Sequence, residues 1–145
     1  MKAKKVKQEK LSTIKNRLKK LVDFVVRTRD ENKCQKGGEP FCLKTNKNGK
    51  VILHASHIFP VGLFPWMRYD PDNIKLLCYY HHFRWWHVSI IDAAFWIAQY
   101  LKGDRAHILL ERSKNKVEMT RDELYNIEAN LLFEVDNIKE SNILN

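Results

Sequence analysis

Apolar residues at Leu11, Ile14, Leu18, Leu21, Val22 and Val25 recur every three or four positions, which is the spacing of one helical face. They predict a helix over 10–29, with lysines on its other side. The periodicity then stops. Gly37, Gly38, Pro40, Asn46, Asn48 and Gly49 mark loops and turns, and Asn48-Gly49 suits a hairpin turn. The apolar run 51–53 predicts a strand leading into His54 and His57, and the run 74–77 predicts a second. Between them lies a loop carrying Pro60, Gly62, Pro65 and Pro71. From 79 to 101 nothing interrupts a helix, and Gly103 is placed to end it. Thr120 and Glu123 form a capping box that opens a last helix, with Leu124, Ile127, Leu131 and Leu132 as its stripe. The pattern predicts an α+β protein, mostly α, with a small β element.

Composition narrows the class. The 145 residues are 44% hydrophobic, enough for one globular domain and too apolar for a disordered tail. The expected organisation is a basic arm over 1–9 and a single domain over 10–145, its core at about 34–101. Lys and Arg outnumber Asp and Glu by 26 to 17, a net charge of +9, so a polyanion is a natural partner. The charge is uneven: residues 1–20 hold nine basic residues and one acid, and residues 118–145 hold seven acids and two bases. Lys4, Lys5, Lys7, Lys19 and Lys20 are thus candidate phosphate contacts. A solvated tail is the plainer alternative. The apolar stretch 88–101 is broken by Asp92 and Gln99 and falls short of the ~20 residues that span a bilayer. With no membrane span and no apolar leader, the expected location is the cytoplasm, in a bacterial host or phage-encoded. The three cysteines are then reduced thiols.

The candidate chemistry is concentrated. Five of six histidines (His54, His57, His81, His82 and His87) lie within 54–87, with Cys78 among them and Cys34 and Cys42 just before. Thiolates favour a closed tetrahedral zinc site, so Cys34, Cys42, Cys78 and His81 form one candidate ligand set. Buried thiols acting as small hydrophobes are the alternative. The remaining histidines, with Asn73, suit a reaction centre. Phosphodiester hydrolysis needs a base near neutral pKa and a metal for the developing charge.

The stretches His54-Ala55-Ser56-His57-Ile58, Arg68-Tyr69-Asp70-Pro71-Asp72-Asn73-Ile74 and Leu77-Cys78-Tyr79-Tyr80-His81-His82 resemble the HNH signature of the ββα-metal (His-Me finger) endonucleases. More closely, the chain resembles the phage NinG/Rap family of recombination nucleases, which cleave branched DNA. Phe24 to Asp30 looks like that family's Arg-x-Arg-Asp helix end, and Lys116 to Leu132 like its closing segment. The resemblance implies a ββα-metal core with zinc-stapled loops and flanking helices. It places His57 on the general base, Asn73 on the asparagine that orients it, and His82 on a ligand of the hydrolytic Mg²⁺ or Mn²⁺. Cys78 matches a structural Zn²⁺ ligand. Arg68 or Arg84 is then suited to clamp the scissile phosphate.

Four departures stand out. Ser56 occupies the position where many such enzymes carry a metal-binding Asp, which leaves His54 to take that task. His81 stands where the family has cysteine, and Cys34 and Cys42 are spaced unusually far apart. The turn after the metal ligand is Phe83-Arg84-Trp85-Trp86-His87, with His87 as a further ligand or a phosphate contact. Trp85, Trp86, Phe95 and Trp96 read as core or as a dimer face, with stacking on an unpaired base as the alternative. The apolar character of 88–101 suits a homodimer. The expected function is a metal-dependent endonuclease acting on branched DNA. The alternatives are a non-catalytic zinc-stapled DNA-binding module and a sequence-reading HNH homing or restriction nuclease.

Overall fold

A computed structural model describes residues 8–38 and 40–143 as a mostly helical α+β fold with one two-stranded sheet. Helix α1 (Leu11–Arg29) forms where its periodicity predicts and buries Ile14, Leu18, Val22, Val25 and Val26. Its last turn carries Arg27 and Arg29, which suit the negative end of the helix dipole. Helix α4 (Arg121–Ile143) packs along it, with Leu124, Leu131 and Val135 in the shared core. The Thr120 side chain accepts the Glu123 amide at 3.2 Å, as the capping box requires. Leu132, expected in the core stripe, is exposed; Val135, four residues after Leu131, takes the place because it continues the face that meets α1.

Strands β1 (Leu53–His57) and β2 (Ile74–Cys78) pair antiparallel, Leu53 opposite Cys78 and His57 opposite Ile74. The first strand thus begins at the end of the predicted run and continues through both histidines. Val51 makes an isolated bridge to Thr45 across the turn at Asn46–Gly49, where Gly49 has φ of 71°. Two strands alone leave two open edges. The edge of β2 away from β1 is satisfied by the end of α1: the buried Asp30 carboxylate accepts the Leu76 amide at 2.8 Å. The Arg29 guanidinium donates to the carbonyls of Pro71 and Ile74 at 2.7 and 2.6 Å. These bonds tie the strand to the helix that covers it.

The predicted continuous helix over 79–101 is broken. Residues 79 and 80 enter a π-helical turn, His81–Trp86, and α2 (Ile90–Tyr100) starts after a break at His87–Ser89. Helix α3 (Arg105–Lys114), which the apolar pattern does not announce, buries Leu109 against Met67 and Leu101 in a small second core. Within this chain α2 buries Ala93 and leaves Ile90, Ile91 and Phe95 at least 70% exposed. No helix among the described residues is long and apolar enough to cross a membrane.

Candidate metal and reaction centres

Cys34, Cys42, Cys78 and His81 converge. Their donor atoms lie within 4.8 Å of one another, and among the described residues no other group of three or more His, Cys, Asp or Glu meets that test. The His81 Nδ1 is 3.3 Å from the Cys34 sulfur and 3.4 Å from those of Cys42 and Cys78, and the Cys42 and Cys78 sulfurs are 3.8 Å apart. Tetrahedral zinc with ordinary Zn–S and Zn–N bonds requires roughly 3.6 Å between S and N and roughly 3.8 Å between sulfurs. The four side chains therefore fit a metal ion such as zinc.

Local structure explains the convergence. Cys78 ends β2, and the chain turns at once into helix, so His81 comes back one turn later with its amide 3.5 Å from the Cys78 sulfur. The long Cys34–Cys42 interval is accommodated by Gly37 and Gly38, both at positive φ (60° and 82°), which lets the loop curl. Burial pushes the Cys78 thiol pKa up, so a cation is needed to hold it as thiolate.

Asn73 is wholly buried at the end of the loop between the strands. Its side-chain oxygen accepts the Phe59 amide at 2.7 Å, and its amide nitrogen donates to the carbonyls of Phe59 and Met67 at 3.1 and 3.0 Å. One side chain thus closes both ends of that loop. His57, the last residue of β1, donates from Nε2 to the Arg68 carbonyl on the same loop at 3.0 Å. A carbonyl can only accept, so the neutral ring carries its proton on Nε2 and leaves Nδ1 as an acceptor. Desolvation lowers the His57 pKa from its usual value, more than the Arg68 carbonyl raises it.

Strand alternation puts His54 and Ser56 on the sheet face opposite His57. There His54, His82 and His87 gather: ring centroids are 5.2 Å apart for His54–His82 and 5.0 Å for His82–His87. His82 and His87 are five residues apart. On an α-helix they would diverge by roughly 140°, whereas the π-helical turn brings i and i+5 together. The His54 Nε2 and His82 Nδ1 are buried without a hydrogen-bond partner among the described residues. Burial, with the neighbouring His87, His54 and Lys75 charges, pushes the His82 pKa down to about 4. Each of these ring nitrogens carries an unused proton or an unused lone pair according to its tautomer, and with His87 the cluster falls short of the donor spacing that Cys34, Cys42, Cys78 and His81 meet. Ser56 is buried with its hydroxyl on the His54 carbonyl at 3.4 Å and offers no carboxylate.

The other expected site residues fall as follows. Lys19 and Lys20 are exposed on α1, and Arg84 is exposed on the π-helical turn. Lys4, Lys5 and Lys7 lie outside the described residues. Trp85 and Trp86 both pack on Trp96, their centroids 5.5 and 6.4 Å from its ring.

Nothing in the sequence announces Lys75, because a lone lysine in an apolar run gives no hint of burial. It sits opposite Ser56, fully buried, with Nζ 3.2 Å from the Trp86 ring centroid and no hydrogen-bond partner among the described residues. Burial drives its pKa down to about 6, against a smaller upward pull from Asp30. Lys75→Met, similar in shape and without the charge, is expected to raise stability at neutral pH by about 1–3 kcal/mol. Above about pH 6 the unfolded chain holds a proton on this lysine that the folded chain has released. Stability of the parent protein therefore rises with pH from there towards 10, by up to about 1.4 kcal/mol per unit, and the variant loses this slope. Urea melts across that range test both points; a destabilised variant with the slope intact would refute them.

No family model matches the chain, and no curated protein or solved structure is significantly similar to it.

Proposed function

We propose that this chain is a metal-dependent endonuclease of the HNH type that hydrolyses DNA phosphodiester bonds, with branched or recombination intermediates as its substrates. The observation that carries the reading is His57, held through Nε2 by the Arg68 carbonyl on a loop that Asn73 closes. That is how a general base is kept in one tautomer. The order strand, strand, helical turn, with a histidine cluster between strand and turn, agrees with a ββα-metal core.

In this mechanism the His57 Nδ1 accepts a proton from a water molecule as its oxygen attacks phosphorus. The new P–O bond forms in line with the breaking bond to the 3′ oxygen, which leaves with the electron pair. Arg68, exposed on the same loop, would hold the scissile phosphate. His82, with His54 and His87, would hold a divalent cation, Mg²⁺ or Mn²⁺; the cluster lies across β1 from the His57 side chain, so a phosphate reached by both would sit at the end of that strand, where the cation would supply it with positive charge. Cys34, Cys42, Cys78 and His81 would hold Zn²⁺ as a structural staple. The outer face of α2 suits a second copy of the chain.

A second reading, a zinc-stapled DNA-binding module without hydrolysis, draws support from Ser56, which puts a hydroxyl where the HNH pattern calls for a carboxylate. Labelled junction, flap and duplex DNA incubated with Mg²⁺, Mn²⁺ or no added metal separates the two. Cleavage dependent on added metal is expected. A folded, zinc-loaded protein that cuts none of them would sink the nuclease reading. His82→Ala should be inactive in Mg²⁺ and partly restored by excess Mn²⁺, since its loss weakens cation binding and leaves the base intact. Equal activity of variant and parent at low metal would remove His82 from the site.

A further inference from the structure

Between α1 and the β hairpin lies a cleft of about 340 Å³, lined by His57 and by residues of both elements. Its floor is apolar: Val22, Val26 and Ile74 are buried, and Ala55 lies open between them and solvent. Its rim is cationic. Lys15, Lys19 and Arg68 border it, all exposed. One acid, Asp23, also borders it, and that carboxylate is already paired with Arg27 at 2.7 Å.

We infer that this cleft seats one unpaired nucleobase of a DNA strand beside His57, with the flanking phosphates on Lys15, Lys19 and Arg68. The inference rests on the nuclease reading for the role of His57, and it specifies the substrate as DNA with an unpaired nucleotide next to the scissile bond. A bare phosphate gains nothing from an apolar floor, and a duplex buries its bases away from one. An unpaired base offers a flat apolar face to the aliphatic floor while its backbone phosphates meet the cations on the rim. The volume lies at the low end for small-ligand sites, which run from about 300 to 1,000 Å³, so it suits one nucleoside and excludes a stacked pair.

The test measures binding of the full chain, in buffer without added divalent metal, to a short single-stranded oligonucleotide and to the same backbone carrying abasic sites throughout. The intact strand is expected to bind about tenfold more tightly, as removing one base's apolar face from water implies. Ala55→Phe fills the open floor from a strand position that favours aromatic residues. It should bring the intact strand down to the abasic affinity and leave the abasic affinity unchanged. Equal affinity of the parent protein for intact and abasic strands overturns the inference, and needs no variant. So does an Ala55→Phe protein that keeps the intact-over-abasic difference. If the parent discriminates and the variant does not, yet no DNA is cut in any metal, the base site stands and the nuclease reading falls. If DNA is cut but base and no base bind alike, the reverse holds.

Discussion

Cys78→Ser is expected to yield protein without bound zinc and without an ordered 34–52 loop. Three sulfurs and one imidazole meet at this site from three separate segments, Cys34 and Cys42 in the loop, Cys78 at the end of β2 and His81 in the π-helical turn. Few apolar contacts hold those segments: Leu43 and Ile52 are exposed, and the hydrophobic cores lie elsewhere. Structural zinc contributes on the order of 10 kcal/mol in small sites, as much as the ~5–15 kcal/mol that keeps a whole domain folded. The α1–α4 core does not depend on the site, so most of the helical signal should survive. The loop and the turn should become sensitive to protease, and the thermal midpoint should fall by about 10 °C or more. Prolonged chelation of the parent protein should do the same. Elemental analysis and limited proteolysis are the measurements. A zinc-free variant as protease-resistant as its parent would show that packing holds this region.

His57→Ala is expected to abolish cleavage, leave zinc content nearly intact and weaken DNA binding far less than it slows turnover. In the proposed mechanism the base takes its proton only as the transition state forms, so the loss falls mainly on turnover, and the lost wall of the cleft accounts for any smaller change in affinity. Removing a general base typically costs about 10²–10⁴-fold. Excess Mn²⁺ should not restore this variant, in contrast to His82→Ala, because a cation cannot take up the proton. The parent's rate should also fall in acid as Nδ1 becomes protonated. Since desolvation holds the His57 pKa below 6.5, that fall should be centred below pH 6.5. Single-turnover rates across pH, beside binding curves for the same proteins, check each point. A variant that cuts as fast as its parent would leave the fold standing and remove the mechanism.

Residue type and spacing made much of this molecule legible. The stripe from Leu11 to Val25 foretold α1, Thr120 and Glu123 opened α4, and the run 74–77 marked β2, whereas β1 begins only where the run 51–53 ends. The ligand set Cys34, Cys42, Cys78 and His81 followed from thiol chemistry, and the structure brings it together. These features are local or compositional, so the chain carries them in plain order.

Other features depended on which surfaces met. Arg29 and Asp30 read as the end of a helix, and they act as the partner of β2's free edge because α1 happens to cross it there. Lys75 occupies a strand position whose face is covered by Trp86, a burial no neighbouring residue announces. His82 and His87 lie together because the helix runs through a π-helical turn, and an apolar pattern does not distinguish i+5 from i+4 closure. Strand alternation sends His54 and His57 to opposite faces of β1, but sequence could not say which face meets α1. That depended on the pairing of Ile74 and Leu76 with α1's buried stripe, a contact between segments some fifty residues apart. Sequence determined which groups this protein has for chemistry. The tertiary structure decided which of them share a space, because long-range packing and backbone pairing, and not local preference, set those distances.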